Sequence, residues 1–334
     1  MNVLKWFVIG IVVLLLSGVA VLFIGSWISL DRDYSYTQDV ELLPDYADFT
    51  GSSGIVRIEA NGYEFRARVA GFDRDASNAE TIILLHGFPV TSAMWELLIE
   101  PLAEAGYRVL AFDQRGYSPG ARPKDESAYG IPHLVSDVVA VAASVGAQQF
   151  HLIGHDWGSA VGWTVTMTHP GKVLTWTGIS IAHPTAFVEA LQNDPDQQSR
   201  SRYFGLFTTA LLPELLLTFN DGMLLKAMYS EMLDSQRQEY HRVFMEPAAL
   251  TSALNWYRQM GTSLENVTDI DPEIETPTLF IWGNDDPAVG RTSVEAQAKF
   301  LTGSYREIEL AGGHWLVADF SDEITQAVLK HLGK

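Results

Sequence analysis

Phe150-His151-Leu152-Ile153-Gly154-His155-Asp156-Trp157-Gly158-Ser159-Ala160-Val161-Gly162 is the stretch that decides the fold. An apolar strand, Phe150 to Ile153, runs into a helix that opens on small residues, and Gly154 and Gly158 bracket the junction. Small-x-nucleophile-x-small is the pattern of the nucleophile elbow, whose glycines permit a turn tight enough to lift one side chain alone above a sheet. Here that side chain is Asp156. An aspartate is ionised at neutral pH and needs no base to activate it. Its carboxylate attacks saturated carbon and leaves an ester that water must then cleave. The pattern points away from serine esterase chemistry and toward opening an epoxide or displacing a halide. A plainer reading, a strand-end aspartate capping a helix, loses ground to the partners found elsewhere in the chain.

Those partners come in a telling order. Thr81 to Leu85 reads as a buried strand and ends at His86-Gly87-Phe88-Pro89. Thr278 to Trp282 is another, followed by Gly283-Asn284-Asp285-Asp286-Pro287, a loop with an acid at its tip. Tyr305 to Leu310 is the last, followed by Gly312-Gly313-His314-Trp315. Nucleophile, acid, histidine is the chain order that follows an elbow of this type. Each motif alone has a duller reading: His314 as a surface histidine, Asp286 as the start of a turn before Pro287. Four motifs at four strand ends leave little room for those.

The chain resembles the α/β-hydrolases of the epoxide hydrolase and haloalkane dehalogenase branch, and most of all the epoxide hydrolases. The resemblance runs from about Gly54 to the C-terminus. Besides the elbow it includes His-Gly-Phe-Pro at 86–89, Asp113-Gln114-Arg115-Gly116-Tyr117, His183-Pro184 and Leu254-Asn255-Trp256-Tyr257-Arg258. It implies an α/β-hydrolase fold: a mostly parallel sheet flanked by helices, with an inserted helical lid. It implies Asp156 as nucleophile and His314 as base. Asp286 is the implied orienter, preferred over Asp285 because the family places its acid directly before the proline. The amides of Phe88 and Trp157 are the implied oxyanion hole. Two lid tyrosines that hydrogen-bond the epoxide oxygen fall on Tyr257 and Tyr203, the second in surroundings that depart from the family's usual ones. Packing of a lid helix is the plainer role for either ring. A phenol with pKa near ~10 stays protonated at neutral pH and can donate to the opening ring.

The same nucleophile serves dehalogenases. Many of these cradle halide with the tryptophan after the nucleophile, present here as Trp157, and with an asparagine where this chain has Phe88. The carboxylate-binding arginines that fluoroacetate dehalogenases carry beside the nucleophile are replaced by Trp157 and Gly158. Epoxide hydrolysis is therefore favoured, with a small hydrophobic epoxide and water as reactants. A halide-releasing enzyme and a non-catalytic binder of hydrophobic ligands are the alternatives.

Trp6 to Leu30 carries no charge, with Lys5 before it and Asp31-Arg32-Asp33 after. About 20 apolar residues suffice to cross a bilayer. The stretch is expected to be an N-terminal transmembrane helix that holds the chain to a lipid bilayer through residues 6–30. The positive flank would lie in the cytoplasm and the catalytic domain on the extracytoplasmic face. Secretion after cleavage of a signal peptide is the rival. The expected organisation is an anchor over 1–30, an acidic tether or surface-hugging segment over 31–53, core over 54–183, lid over 184–267 and core again over 268–334. A hairpin opens the core, with Ile55 to Glu59 and Tyr63 to Val69 alternating across an Asn61-Gly62 turn. Helices are expected near 92–105, 131–145 and 157–169, and a strand over 173–181.

Composition sets the outer limits. A net charge of -19 over 334 residues argues against nucleic acid and against adhesion to anionic lipid, since both need basic patches. With no cysteine there is no disulfide or thiol chemistry. No metal spacing, phosphate loop or cofactor motif stands out; His151, His155 and His169 are spaced for local packing. Asn266-Val267-Thr268 is a glycosylation sequon whose default reading is chance.

Overall fold

The apolar runs become the strands of one twisted sheet. The computed structural model describes residues 2–74, 79–263 and 270–333, with the side chains of 2–10, 12 and 14 outside that description. The strands are β1 (Gly54–Ala60), β2 (Tyr63–Ala70), β3 (Thr81–Leu85), β4 (Arg108–Phe112), β5 (Phe150–His155), β6 (Val173–Ile179), β7 (Thr278–Gly283) and β8 (Tyr305–Leu310). Their spatial order is β1-β2-β4-β3-β5-β6-β7-β8. β1 and β2 form the hairpin, with Asn61 and Gly62 at φ 51° and 77°, the two left-handed residues of a type I′ turn. β2 meets β4 antiparallel, and every later pairing is parallel. Strands β3, β4, β5 and β7 are buried at every residue, as continuous apolar runs covered on both faces must be. From β3 the chain moves to one side for β4 and to the other for β5. The loops after β3 and β5 therefore part at a switch point, and the crevice there is where ligands bind in sheets of this kind.

Between β6 and β7 the chain leaves the sheet for a helical layer: α6 (Pro184–Asn193), α7 (Pro195–Arg200), α8 (Phe204–Phe207), α9 (Leu212–Met228), α10 (Asp234–Phe244) and α11 (Ala249–Arg258). The expected end of the lid at 267 and the sequon at 266–268 lie outside the described residues. Buried charge bolts this layer to the sheet. Glu239 of α10 accepts from Arg66 Nη2 at 2.8 Å, from Arg68 Nη2 at 2.5 Å and from Thr91 Oγ1 at 2.5 Å. Trp256 Nε1 donates to the Arg115 carbonyl at 2.9 Å. Removing one partner of such a buried cluster strands its neighbour's charge, at a cost of about 3–5 kcal/mol.

β6 stops at Ile179, two residues short of the expected end. Ser180 turns to φ 73°, which no strand tolerates, although the apolar alternation runs on through Ile181.

The N-terminal expectation of a membrane span finds no support among the described residues. Helix α1 covers Asn2–Ser29, yet among the described residues no helix is long and apolar enough to cross a membrane. The last turns of the apolar run make protein contacts instead. Ser26 Oγ lies 2.5 Å from Thr218 Oγ1 of α9, and the Asp221 amide donates to Ser29 Oγ at 2.9 Å. Further back, Leu15, Leu16, Val19, Val21 and Phe23 are exposed. The acidic segment that follows hugs the surface. Its short helix α2 (Ser35–Glu41) buries Tyr36 and Val40, and Tyr36 donates to Asp113 Oδ2 at 2.9 Å. Thr37 holds Glu246 through its amide at 2.7 Å and its hydroxyl at 2.8 Å.

Candidate active site

Asp156 sits between β5 and helix α5 (Trp157–Thr168) with φ 54° and ψ -124°, a backbone conformation that costs a non-glycine residue about 1–3 kcal/mol. Three glycines make room for it. A Cβ on Gly154 would strike the Gly158 carbonyl, one on Gly158 the Leu85 carbonyl, and one on Gly87 the Asp156 carboxylate itself. The Asp156 carbonyl caps the helix by accepting from the amides of Ser159 and Ala160 at 2.9 and 3.1 Å, which frees the side chain to point upward. The neighbouring loop supplies its first partner: the Phe88 amide donates to Asp156 Oδ1 at 2.8 Å. His86 fixes that loop. Its Nδ1 lies 2.9 Å from the Gly87 carbonyl, and its Nε2 accepts from the Gln114 amide at 3.0 Å. Burial lowers the pKa of His86, consistent with a neutral ring protonated on Nδ1.

The loops after β7 and β8 bring in the acid and the histidine. Nδ1 of His314 stands 3.1 and 3.0 Å from the two oxygens of Asp286, while Nε2 lies 3.5 Å from Asp156 Oδ2. Asp286 is fully buried and also receives the Ala288 and Val289 amides at 2.8 and 3.2 Å. Burial would lower the histidine's pKa, but the charges of Asp286 and Asp156 outweigh it and hold the imidazole up at about 10. For Asp286, burial pulls upward and loses to His314, leaving the carboxyl at about 2. Asp156 is likewise lowered against the pull of burial, through its hydrogen bond and charge pairing with His314. The substrate-free site is thus an imidazolium between two carboxylates. Asp285, the competing orienter, is exposed.

Above Asp156 opens a largely apolar cavity, lined by Ile131, Trp157, Phe187, Phe204 and Met260 as well as by Tyr203 and Tyr257. The two phenol rings are 6.1 Å apart between centroids. Tyr257 is buried and meets Phe88, Trp157 and Phe207 edge-on at 5.5, 5.1 and 5.1 Å; Tyr203, half-buried, leans on Phe204 and Phe207. Burial raises both hydroxyl pKa values, and the Asp156 charge adds to it. Both phenols therefore keep their protons at any ordinary pH. Among the described residues no cluster of His, Asp and Glu is arranged to hold a metal ion.

The family model described as "alpha/beta hydrolase fold" matches residues 80–320. The chain belongs to that family. Epoxide hydrolase A of Mycobacterium tuberculosis is 31% identical over 317 residues, covering 82% of this chain and 96% of the relative. Epoxide hydrolase 4 of Homo sapiens is 28% identical, covering 83% and 78%. Among solved structures, epoxide hydrolase A of Mycobacterium thermoresistibile superposes with a TM-score of 0.66 at 27% identity, over 84% of this chain and 98% of that one. An epoxide hydrolase from Bacillus megaterium, holding a naphthyloxy-propanediol product, superposes at 0.74 with 21% identity over 83% and 100%, which speaks for the fold alone. This α/β hydrolase is accordingly an epoxide hydrolase-like enzyme.

Three neighbours of the hydrolase's site make contacts that the sequence did not announce. Ser180 Oγ donates to Asp286 Oδ2 at 2.6 Å. Arg200 of α7 donates to the Asp286 carbonyl, tying the lid to the acid loop. His155 Nε2 lies 2.8 Å from the His314 carbonyl, and burial and the His314 charge depress its pKa to about 4, so the neutral ring donates there. Only His155 adjoins a recognisable motif, and its partner is 159 residues away.

Proposed function

We propose that the enzyme converts a hydrophobic epoxide to a vicinal diol through an ester on Asp156. The observation that carries this reading is the division of labour between the two oxygens of Asp156. Oδ1 is held by the Phe88 amide; Oδ2 faces His314 beneath the two phenols. Oδ2 attacks a ring carbon, the carbon–oxygen bond breaks, and the departing oxygen takes its proton from Tyr257 or Tyr203. Oδ1 becomes the ester carbonyl, already in place on its amide donor. Esterification also removes the Asp156 charge that helps hold the proton on His314. The imidazole then gives up that proton, restoring the phenol, and is free to act as base. It deprotonates a water that attacks the ester carbon. The tetrahedral oxyanion rests on the Phe88 and Trp157 amides, worth roughly 3–4 kcal/mol per donor in comparable sites. Collapse, with the proton returned from His314 to the leaving oxygen, releases the diol. Oxygen from water stays in the carboxylate.

Single-turnover hydrolysis of styrene oxide in ¹⁸O water, with the full chain in excess, tests this route. Label appearing in Asp156 before it appears in diol is expected. Label entering the diol directly sinks the covalent route. Halide displacement is the second reading, favoured by the position of Trp157 in the cavity wall. It is weakened by Phe88, whose ring packs against Phe207, Phe244 and Tyr257 and offers no side-chain donor. Halide release from a haloalkane panel separates the two.

We further infer that the exposed apolar length of α1 sits in lipid, with the N-terminus cytoplasmic and the hydrolase on the far side. Support comes from the uncharged run 6–30 and from the exposed Ile24, Trp27 and Ile28 beside the lid. Arg32 stacks on Trp27 at 4.4 Å, the aromatic-and-basic pairing of a membrane–water boundary. Flotation with neutral lipid vesicles that is unchanged by deleting residues 1–24 would refute it, and protease access in intact cells tests the orientation.

A further inference from the structure

β6 lies between the strand that carries Asp156 and the strand that carries Asp286, and Ser180 is the first residue past its end. The Ser180 amide is bound to the Ile281 carbonyl of β7 at 2.9 Å. The next amide, Ile181, turns straight back to the Ile179 carbonyl at 3.0 Å, and Ser180 between them has φ 73°. This three-residue turn is of the rare, strained kind with a positive central φ. A glycine would occupy the position without strain. What serine adds is a fully buried hydroxyl, 2.6 Å from Asp286 Oδ2 and 3.1 Å from His314 Nδ1. Its one proton goes to the carboxylate, leaving its lone pairs turned toward the Nδ1 proton of the histidine. Asp286 Oδ1 is meanwhile occupied by the Ala288 and Val289 amides, so Ser180 is the described side chain that ties down the other oxygen together with the histidine.

We propose that Ser180 is a positioning residue for the His314–Asp286 pair. Its hydroxyl pins the second oxygen of the acid and shares the Nδ1 proton, so that Nε2 stays aimed at Asp156. The proposal rests on the covalent-ester reading and goes beyond it. The consequence falls on one half of the reaction. Ester formation needs the Asp156 carboxylate and a phenol and does not call on a well-aimed imidazole base. Ester hydrolysis does. The other titratable groups around the imidazole are Asp156, Asp286 and His155, the last with its ring 4.8 Å away between centroids.

The test uses the full chain carrying Ser180→Gly or Ser180→Ala. Rapid-quench mass spectrometry with styrene oxide follows the ester on Asp156. The ester should decay about tenfold to a hundredfold more slowly in both variants, the loss expected for a hydrogen bond to a charged group. Its formation should stay within about twofold. The pH midpoint of decay should move down, because the charged imidazole loses an acceptor. Ser180→Gly, free of strain, should unfold no earlier than Ser180→Ala, which separates the hydroxyl from mere folding. Unchanged decay in Ser180→Gly, or formation and decay falling together, overturns the proposal. If the wild type makes no ester from an epoxide, the covalent reading fails by itself. ¹⁵N NMR of the His314 ring in the substrate-free enzyme then decides: a lowered titration midpoint in Ser180→Gly upholds the positioning role, and an unmoved one ends it.

Discussion

The floor and the roof of the cavity are held by different forces. On the floor, Asp156, Asp286 and His314 are fixed by hydrogen bonds from strand ends and loop amides, many of them to charged groups and worth roughly 1.5–3 kcal/mol each. On the roof, Tyr203 and Tyr257 are located by ring against ring, each such contact worth about 0.5–1.5 kcal/mol and tolerant of small shifts. Hydrogen bonds impose direction where edge-on ring packing imposes only proximity. The floor can therefore carry chemistry that needs tenths of an ångström, while the roof can shift to seat epoxides of different shape.

Breaking the floor should give the largest losses. Asp156→Ala should reduce turnover by at least about 10⁴-fold, the scale on which removal of a nucleophile is felt. His314→Gln should stop the reaction halfway, so intact-protein mass spectrometry should find a lasting adduct of substrate mass on Asp156. A His314→Gln enzyme that neither turns over nor forms an adduct would mean the two halves of the reaction are not divided as the geometry suggests. The roof should give graded losses instead. Tyr257→Phe, at the buried position, should slow ester formation by about 10²-fold, within the range of a lost general acid. Tyr203→Phe, half-buried, should slow it by about tenfold. Equal and full activity in the double variant would remove the phenols from the mechanism and leave them as packing.

The same contrast explains what could be read in advance. The elbow was legible because its glycines and nucleophile are consecutive and answer to one local steric demand. The Asn61-Gly62 hairpin was legible for the same reason. Ser180 was not: its partners Asp286 and His314 lie 106 and 134 residues away, and a serine between two isoleucines looks like more strand. The bolts from Arg66 and Arg68 to Glu239 span 173 and 171 residues and carry no motif. At the N-terminus the apolar run was plain, whereas the seat of its last turns on α9 depended on a lid kink at Asn220, Asp221 and Gly222 that no pattern announces.

The ionic floor should also show itself in stability. His314 is raised from 6.5 to about 10, so its contribution is complete below pH 6.5 and fades as pH climbs through 10. Asp286 is lowered from 3.8 to about 2, so its contribution is complete above pH 3.8 and fades as pH falls through 2. Between those limits both are present. The gap in urea midpoint between wild type and His314→Gln should thus be widest from about pH 4 to 6.5 and narrow toward pH 10. A gap that stays flat across that range would mean the imidazole is not charged in the resting enzyme.

The smallest expected effect lies one residue from one of the largest. Asp285 and Asp286 are adjacent aspartates on the same loop, yet their side chains meet opposite surroundings. Asp286 is sealed from solvent and accepts from His314, Ser180 and two amides, whereas Asp285 is exposed and its backbone amide donates to the Gly312 carbonyl at 3.0 Å. Asp285→Asn removes a solvated charge and leaves that backbone bond intact, so ester decay should change by less than about twofold, as surface substitutions do. Asp286→Asn puts an amide against Nδ1 and two amide donors, favouring the wrong tautomer of His314, a change that costs about 10⁴-fold where it has been isolated in another hydrolase. Comparable losses from the two variants would mean that the histidine is steered by the summed charge of the loop. A wide split would place the steering in hydrogen-bond geometry.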